Sequence, residues 1–143
     1  MTITTTTHLN FRGQARAALD FYAAVFGGEV MAFTFAQGSD EQDVADGAVA
    51  EQLKWGGVRA PSGFSVMAFD VPPRRAHDPG TDAVYVSVRS DDAEEITRCW
   101  AALAEGGTVR AALGPAGYAP LYGMVTDRFG VTWVLDVAPS FNG

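Results

Sequence analysis

Apolar side chains recur along this chain with two spacings, one typical of helices and the other of strands. From about Gln14 to Phe26 they recur at every third or fourth residue, which predicts an amphipathic helix. A second helix is predicted to begin after Asp91 or Asp92, either of which can act as its N-cap, and to run to about Glu105. β-Branched and apolar stretches between turn residues predict the strands. These strands are Ile3–Phe11, Glu29–Ala36, Ala48–Trp55, Phe64–Val71, Ala83–Arg89, Val109–Leu113, Tyr122–Thr126 and Thr132–Val137.

The same local order occurs twice along the chain. Each predicted helix ends in an aromatic residue, two alanines and an aliphatic residue, followed by a glycine pair; the two copies are Tyr22–Gly28 and Trp100–Gly107. Each glycine pair is expected to end its helix, because glycine adopts positive φ angles without a steric penalty. Strand-like sequences precede and close both copies in the same order. The pattern therefore indicates a duplicated strand–helix–strand–strand–strand unit.

Three further segments are predicted to interrupt regular structure. Gln37–Gly47 carries four acidic residues and two glycines and is interpreted as a mobile, solvated loop. Gly56-Gly57 is expected to end the third strand, and Gly114–Pro120 is expected to be a loop because of its glycines and prolines.

The best candidate for a linker is Pro72–Asp82, which contains three prolines and a glycine. It separates module one, residues 1–71, from module two, residues 83–143. A chain of 143 residues is long enough for one hydrophobic core and too short for two independent ones. We therefore expect both modules to form a single domain.

Composition and charge exclude several classes of function. The net charge of −7 argues against a nucleic-acid partner, since phosphates require a basic surface. Cys99 is the only cysteine, so neither an intrachain disulfide nor a thiolate metal cluster can form. No basic-then-apolar leader and no apolar run of membrane-spanning length is present, so we expect a cytoplasmic protein without membrane contact. Nine arginines against one lysine, with abundant alanine, suggest a GC-rich bacterial source.

Three stretches, together with the duplicated βαβββ order, resemble the PhnB-like branch of the vicinal oxygen chelate superfamily. They are HLNFRGQARAALDFYAAVFGGEV, GFSVMAFD, and ALAEGGTV followed by YGMVTDRFGVTWVLDV. That superfamily includes glyoxalase I, extradiol dioxygenases and bleomycin-binding proteins. The resemblance implies an α+β fold in which two tandem βαβββ modules form a cupped mixed sheet, with helices on the convex face and the ligand in the concavity. It also implies a homodimer.

Members of this branch are often described as a demethylubiquinone methyltransferase. The sequence does not support that activity, because it contains no glycine-rich strand–turn–helix that could hold S-adenosylmethionine.

Metal-dependent members of the superfamily take His and Glu ligands from the first and last strands of each module. By this resemblance the four ligand places correspond to His8, Ala68, Val86 and Val134. Only His8 offers a donor atom, so we predict a cup without a metal or another cofactor. Asp70 and Asp136 are interpreted as strand-terminating residues near solvent, although either could hold a displaced metal.

Strand alternation places Thr6, His8 and Asn10 on one face of the first strand, opposite Leu9 and Phe11. If Leu9 and Phe11 meet the helix, the first set faces the cup, and the same parity points Ala50, Gln52 and Lys54 inward on the third strand. The candidate ligand-binding residues are His8, Asn10, Gln52, Lys54, Tyr118, Tyr122, Thr132 and Val134.

Three functions follow from these residues. The first is binding of a small apolar or aromatic molecule without turnover. The second is a metal-independent isomerase or lyase that uses His8 as general acid or base, because imidazole suits proton transfer near neutral pH. The third is a metal-dependent glyoxalase- or dioxygenase-type enzyme with displaced ligands. His8 could equally form only a structural hydrogen bond.

Overall fold

The computed structural model of the chain describes residues 2–138 and consists of two units. One comprises the residues up to Pro79 and the other the residues from Gly80 onward. The division lies inside the segment Pro72–Asp82 that the sequence identifies as a linker. Within residues 2–138, no helix is both long enough and apolar enough to cross a membrane.

The first unit is a four-stranded mixed sheet with one long helix packed on it. Its elements are β1 (Thr7–Phe11), α1 (Ala15–Phe26), β2 (Glu29–Thr34), the short helix α2 (Glu41–Ala45), β3 (Leu53–Arg59) and β4 (Ser65–Asp70). The strands lie in the order β1-β4-β3-β2. β1 runs parallel to β4, and the other two pairs are antiparallel.

The second unit repeats this topology without the short helix. Its elements are β5 (Val86–Ser90), α3 (Ala93–Ala104), β6 (Thr108–Ala116), β7 (Ala119–Thr126) and β8 (Thr132–Val137). The order β5-β8-β7-β6, with β5 parallel to β8, matches that of the first unit. The predicted α+β fold of two βαβββ modules is confirmed.

In each unit the long helix lies against a glycine of an inner strand. A Cβ atom added at Gly56 on β3 would lie 2.5 Å from Cδ1 of Leu19 on α1. At Gly123 on β7 it would lie 2.7 Å from Cζ3 of Trp100 on α3. Glycine at these two positions allows a large side chain of the helix to approach the strand backbone.

The two long helices begin differently. The carboxylate of Asp92 accepts hydrogen bonds from the backbone N–H groups of Glu94 and Glu95, at 3.0 and 3.4 Å, which confirms Asp92 as the N-cap of α3. The residue that precedes α1, Gln14, provides no side-chain cap. The side-chain cap of α1 comes instead from Asp70 at the end of β4, which is distant in the sequence.

Asp70 accepts hydrogen bonds from the backbone N–H groups of Gly13 and Ala15 at 2.7 and 3.0 Å, and from that of Leu53 at 2.9 Å. Its side chain is buried. Asp70 ends its strand as expected, but its predicted position near solvent is wrong, because its buried carboxylate connects the start of α1 to the start of β3.

Two predicted boundaries are also wrong. The third strand begins at Leu53 and includes Gly56 and Gly57, because both glycines are paired with β2 on one side and β4 on the other. The predicted loop Gly114–Pro120 is instead mostly strand. β6 and β7 extend through it and leave only a tight turn at Gly117 and Tyr118.

The acidic segment Gln37–Gly47 forms α2 rather than only a solvated loop. Asp40 and Asp43 form a capping box, in which each side chain accepts from the backbone N–H of the other. Asp43 is 1% exposed, since Lys54 and Arg75 both donate to its carboxylate. These two partners lie outside the segment, so its own sequence could not predict the burial.

Candidate functional site

The predicted alternation along β1 is confirmed. His8 and Asn10 are exposed, whereas Phe11 is buried. The Nδ1 atom of His8 lies 2.9 Å from Oδ1 of Asn10, and the imidazole ring contacts Phe69 edge to face, with 5.4 Å between ring centroids. The face of the first sheet that carries these side chains, on the opposite side from α1, is called the first open face below.

A cavity of about 330 Å³ lies on the first open face, and Met67, the register partner of His8, is one of its lining residues. Its apolar wall is formed by Met31, Trp55 and Met67, and the indole Nε1 of Trp55 is 3.4 Å from the sulfur of Met67. Glu29 and Arg59 line the same cavity. All of its lining residues belong to the first unit.

Sequence reasoning did not name these wall residues, and it misjudged Trp55 because it ended the third strand too early. Trp55 was taken as the last strand residue, although it lies near the middle of β3. A usable signal was present in β2, where alternation places Glu29, Met31 and Phe33 on one face. All three are exposed, while the residues between them are half-buried.

Gln52 and Lys54 do not contribute to the first open face as predicted. Gln52 precedes β3, and its side-chain amide lies beside Gly13 in the turn before α1. The Lys54 ammonium donates to Asp43 at 2.5 Å and lies 3.4 Å from the Asp40 carboxylate. The inward set on the third strand was therefore wrong, because the regular strand starts only at Leu53.

The ion pairs around Asp43 shift the pKa values of their members. Burial alone would raise the pKa of Asp43, but hydrogen bonds from Lys54, from the backbone of Asp40 and from Arg75 lower it to about 2. The hydrogen bond to Asp43 raises the pKa of Lys54. This cluster connects α2, β3 and the start of the linker, and it has a structural role.

In the second unit the structure brings Tyr118 and Tyr122 together. Their rings make an edge contact with 5.8 Å between centroids, and Tyr118 is 55% exposed. Desolvation, with the neighbouring Tyr122 and Asp136, raises the pKa of the Tyr118 phenol. Thr132 is buried, with its hydroxyl 2.7 Å from that of Thr126, and Val134 is half-buried.

Asp136 is also buried, which corrects its interpretation as a strand end near solvent. Two nitrogen atoms of the Arg89 guanidinium donate to its two carboxylate oxygens at 3.0 and 2.8 Å. A bidentate pair of this kind uses the carboxylate oxygens that a displaced metal would need.

The strand registers show which residues lie beside His8 and Val134 on the faces that were predicted to hold the four ligand places. His8 on β1 lies beside Met67 on β4, and Ser87 on β5 lies beside Val134 on β8. Ala68 and Val86, which were predicted to face inward, do not lie on these faces. Ala68 is completely buried and pairs with Leu9, and Val86 pairs with the buried Trp133, so both belong to the helix side of their sheets.

One imidazole, one thioether, one hydroxyl and one hydrocarbon side chain do not suit a divalent metal of this superfamily. No group of three or more His, Cys, Asp or Glu residues that could hold a metal ion occurs within residues 2–138. The residues present at the four places therefore do not fit the ion that the fold implies.

The most specific sequence motif of the chain, GMVTDRFG, has a structural role. The carboxylate of Asp127 accepts from the backbone N–H groups of Phe129 and Val131, at 2.8 and 3.1 Å. Its second oxygen accepts from the indole N–H of the buried Trp133 at 2.8 Å. The motif thus fastens the β7–β8 turn to the core of the second unit.

Comparison with known proteins identifies the family. The family model for 3-demethylubiquinone-9 3-methyltransferase matches residues 3–135. The chain belongs to this family. Protein PA1353 from Pseudomonas aeruginosa is 30% identical, with a TM-score of 0.83, over 97% of this chain and 100% of that one. No curated protein matches the sequence.

Two further solved structures share the fold of this chain. A PhnB protein from Bacillus cereus, described as a putative 3-demethylubiquinone-9 3-methyltransferase, is 23% identical, with a TM-score of 0.76, over 95% of this chain and 100% of its own. A glyoxylase/bleomycin resistance protein/dioxygenase domain from Frankia sp. EAN1pec is 12% identical, with a TM-score of 0.62, over 97% and 99% of the two chains. The predicted family is confirmed by the family model, and the fold of the chain is that of these two structures.

The family name includes a methyltransferase, but the turn that leads from β1 into α1 does not form a binding site for S-adenosylmethionine. That turn contains a single glycine, Gly13, and the N–H groups of Gly13 and Ala15 already donate to Asp70. They are therefore not free to hold a cofactor.

Proposed function

We propose that this protein binds a small apolar or aromatic molecule on the first open face, without a metal. The observation that carries the proposal is the cavity of about 330 Å³ walled by Met31, Trp55 and Met67. Its volume falls in the range of small-molecule sites, about 300–1,000 Å³. Met31 is 66% exposed and lines this cavity together with Trp55 and Met67, and a contiguous apolar patch of this kind is typical of a binding surface. Methionine and tryptophan together suit a flat ligand, because thioethers adapt to irregular shapes and make favourable contacts with rings.

A ligand that relies on ring contacts does not need a chelated metal. The neighbouring pairs are His8 and Met67 in the first sheet and Ser87 and Val134 in the second, and each pair supplies too few oxygen and nitrogen donors for a metal. This donor set favours a binding protein over a metal-dependent glyoxalase- or dioxygenase-type enzyme. The engagement of Asp70 and Asp136 with other partners argues against a metal held by displaced ligands.

The direct test is a ligand screen against matched variants. Planar aromatic compounds that raise the melting temperature of the wild-type protein should lose that effect in Trp55→Ala and Met67→Asp, because both changes remove or polarise the wall of the cavity. Val44→Asp is the control, since Val44 is 68% exposed on α2 and does not line the cavity. Compounds whose binding is equally strong in all three variants would place the ligand elsewhere and refute the proposal.

A second candidate function is metal-independent acid–base catalysis by His8. The supporting observation is the contact between Nδ1 of His8 and Oδ1 of Asn10. Donation from Nδ1 to this amide oxygen would leave Nε2 to accept a proton from a substrate. Such an orientation is what an isomerase or lyase requires of a general base.

Turnover separates the two candidates. An enzyme should convert a hit from the screen and lose that conversion in His8→Ala, while binding to the Trp55 wall is retained. Asn10→Ala should reduce turnover, because the imidazole ring loses the partner that orients it. If the wild-type protein binds a hit without converting it, the catalytic proposal fails and only the binding function is supported.

A further inference from the structure

One end of the first open face carries two opposite charges in register. Glu29 on β2 and Arg59 on β3 are cross-strand partners, and both line the cavity. Both residues are exposed. Among the hydrogen bonds and ion pairs within residues 2–138, none involves either side chain. Most other arginines in the two units donate to a carboxylate or a carbonyl. Arg59 lines the cavity and has no such partner in the described part of the chain, so its guanidinium is available to a ligand.

These two charges lie on the same face as the apolar wall. Alternate residues of a strand share a face, so Glu29 and Met31 point to the same side of β2, as Trp55 and Arg59 do on β3. Side chains of cross-strand partners start about 5 Å apart, so one small molecule can contact both charged ends. A ring held by Trp55 and Met67 would place its polar substituents within reach of this pair.

We propose that the ligand is zwitterionic, with a flat aromatic body for the Trp55 wall, an anionic group for Arg59 and a cationic group for Glu29. This inference rests on the proposed binding at the first open face. A ligand with a single negative charge would meet Glu29 and a protein of net charge −7. A ligand with a single positive charge would meet Arg59. A zwitterion satisfies both groups, and guanidinium binds carboxylate through two parallel hydrogen bonds.

A matched set of four probes tests the charge preference. They are 5-fluoroindole, 5-fluorotryptamine, 5-fluoroindole-3-propionate and 5-fluorotryptophan, which share one ring and differ in charge. Binding is followed by ¹⁹F NMR at low ionic strength, where exposed charges are least screened. We expect the zwitterion to bind about fivefold more tightly than either singly charged probe, the gain expected from one further exposed ion pair.

The variants assign each charge to its partner. Arg59→Gln should weaken 5-fluorotryptophan and the propionate but not the amine, and Glu29→Gln should weaken 5-fluorotryptophan and the amine but not the propionate. Arg16→Gln, an exposed arginine on α1, is the control and should change nothing. If the neutral indole binds and Trp55→Ala abolishes it, but charge makes no difference, the zwitterion proposal fails and the binding function stands. If no probe binds, including the neutral one, both proposals fail.

Discussion

Replacing Asp70 should destabilise the first unit more than any other single change of a carboxylate. Its side chain is 2% exposed and accepts three backbone N–H groups, those of Gly13, Ala15 and Leu53. In Asp70→Ala these donors lose their acceptor while they remain near the core. A buried donor without a partner costs about 1–3 kcal/mol, and water that enters the vacated space recovers part of this cost. We expect a loss of about 3–5 kcal/mol in the free energy of unfolding, the lower part of the sum for three such donors because water recovers part of the cost.

The assay is urea unfolding followed by far-UV circular dichroism, with the slope m compared between variants to check that the transition is unchanged. Asp70→Asn keeps one carbonyl oxygen as acceptor and should lose only about half as much, on the order of 2 kcal/mol. Asp20→Ala is the control, because Asp20 is an exposed carboxylate on α1, the helix that Asp70 caps. It should change stability by less than about 0.5 kcal/mol. A loss below about 1 kcal/mol in Asp70→Ala would refute the reasoning, because the three hydrogen bonds would then be replaced without cost.

Four further outcomes are expected. Gly123→Val should lower the free energy of unfolding by about 1–3 kcal/mol, because its side chain would clash with Trp100; Gly114→Ala, which has open space around it, should be neutral, and equal effects in the two would contradict the packing argument. The pKa of Asp43 is lowered from 3.8 to about 2, so its contribution to the free energy of unfolding is fully present above pH 3.8 and is lost as the pH falls through about 2. Asp43→Asn should therefore lower stability at neutral pH and weaken the loss of stability between these two pH values, whereas Glu41→Gln should do neither. Purified protein should carry well under one equivalent of Ni, Zn, Mn or Fe, and chelator should leave its melting temperature unchanged; a stoichiometric metal lost in His8→Ala would overturn the metal-free reading. Light scattering at micromolar concentration should give twice the chain mass of 15.1 kDa, because the edge strands of each sheet need a partner or a cover, and a value near 15 kDa would contradict the homodimer.

The features that the sequence alone determined are those that depend on neighbouring residues. The two long helices follow from a stripe of apolar residues at helical spacing, and the glycines that follow them take positive φ angles at Gly27 and Gly106. Asp92 caps α3 from the residue directly before it. The bounds predicted for the last strand, Thr132–Val137, are those observed. Because the same local patterns occur twice, they also predicted the duplicated fold and, by resemblance, the family.

What only the tertiary structure decided depends on residues far apart in the chain. The long helix is capped differently in the two units. In the first, Asp70 on β4 caps α1 from a distant part of the chain. In the second, the register counterpart of Asp70 is Val137, which has no polar side chain, and the local Asp92 caps α3. Asp43 is buried because Lys54 and Arg75 arrive from outside its own segment.

The candidate site shows the same division. His8 and Asn10 were predicted correctly on one face, since alternation along one strand is a local property. Trp55 and Arg59 were missed, because a glycine pair usually ends a strand and only pairing on both sides keeps β3 continuous through Gly56 and Gly57. Side-chain periodicity tells which residues share a face, but the backbone hydrogen bonds between distant strands decide where each strand ends and therefore which faces meet.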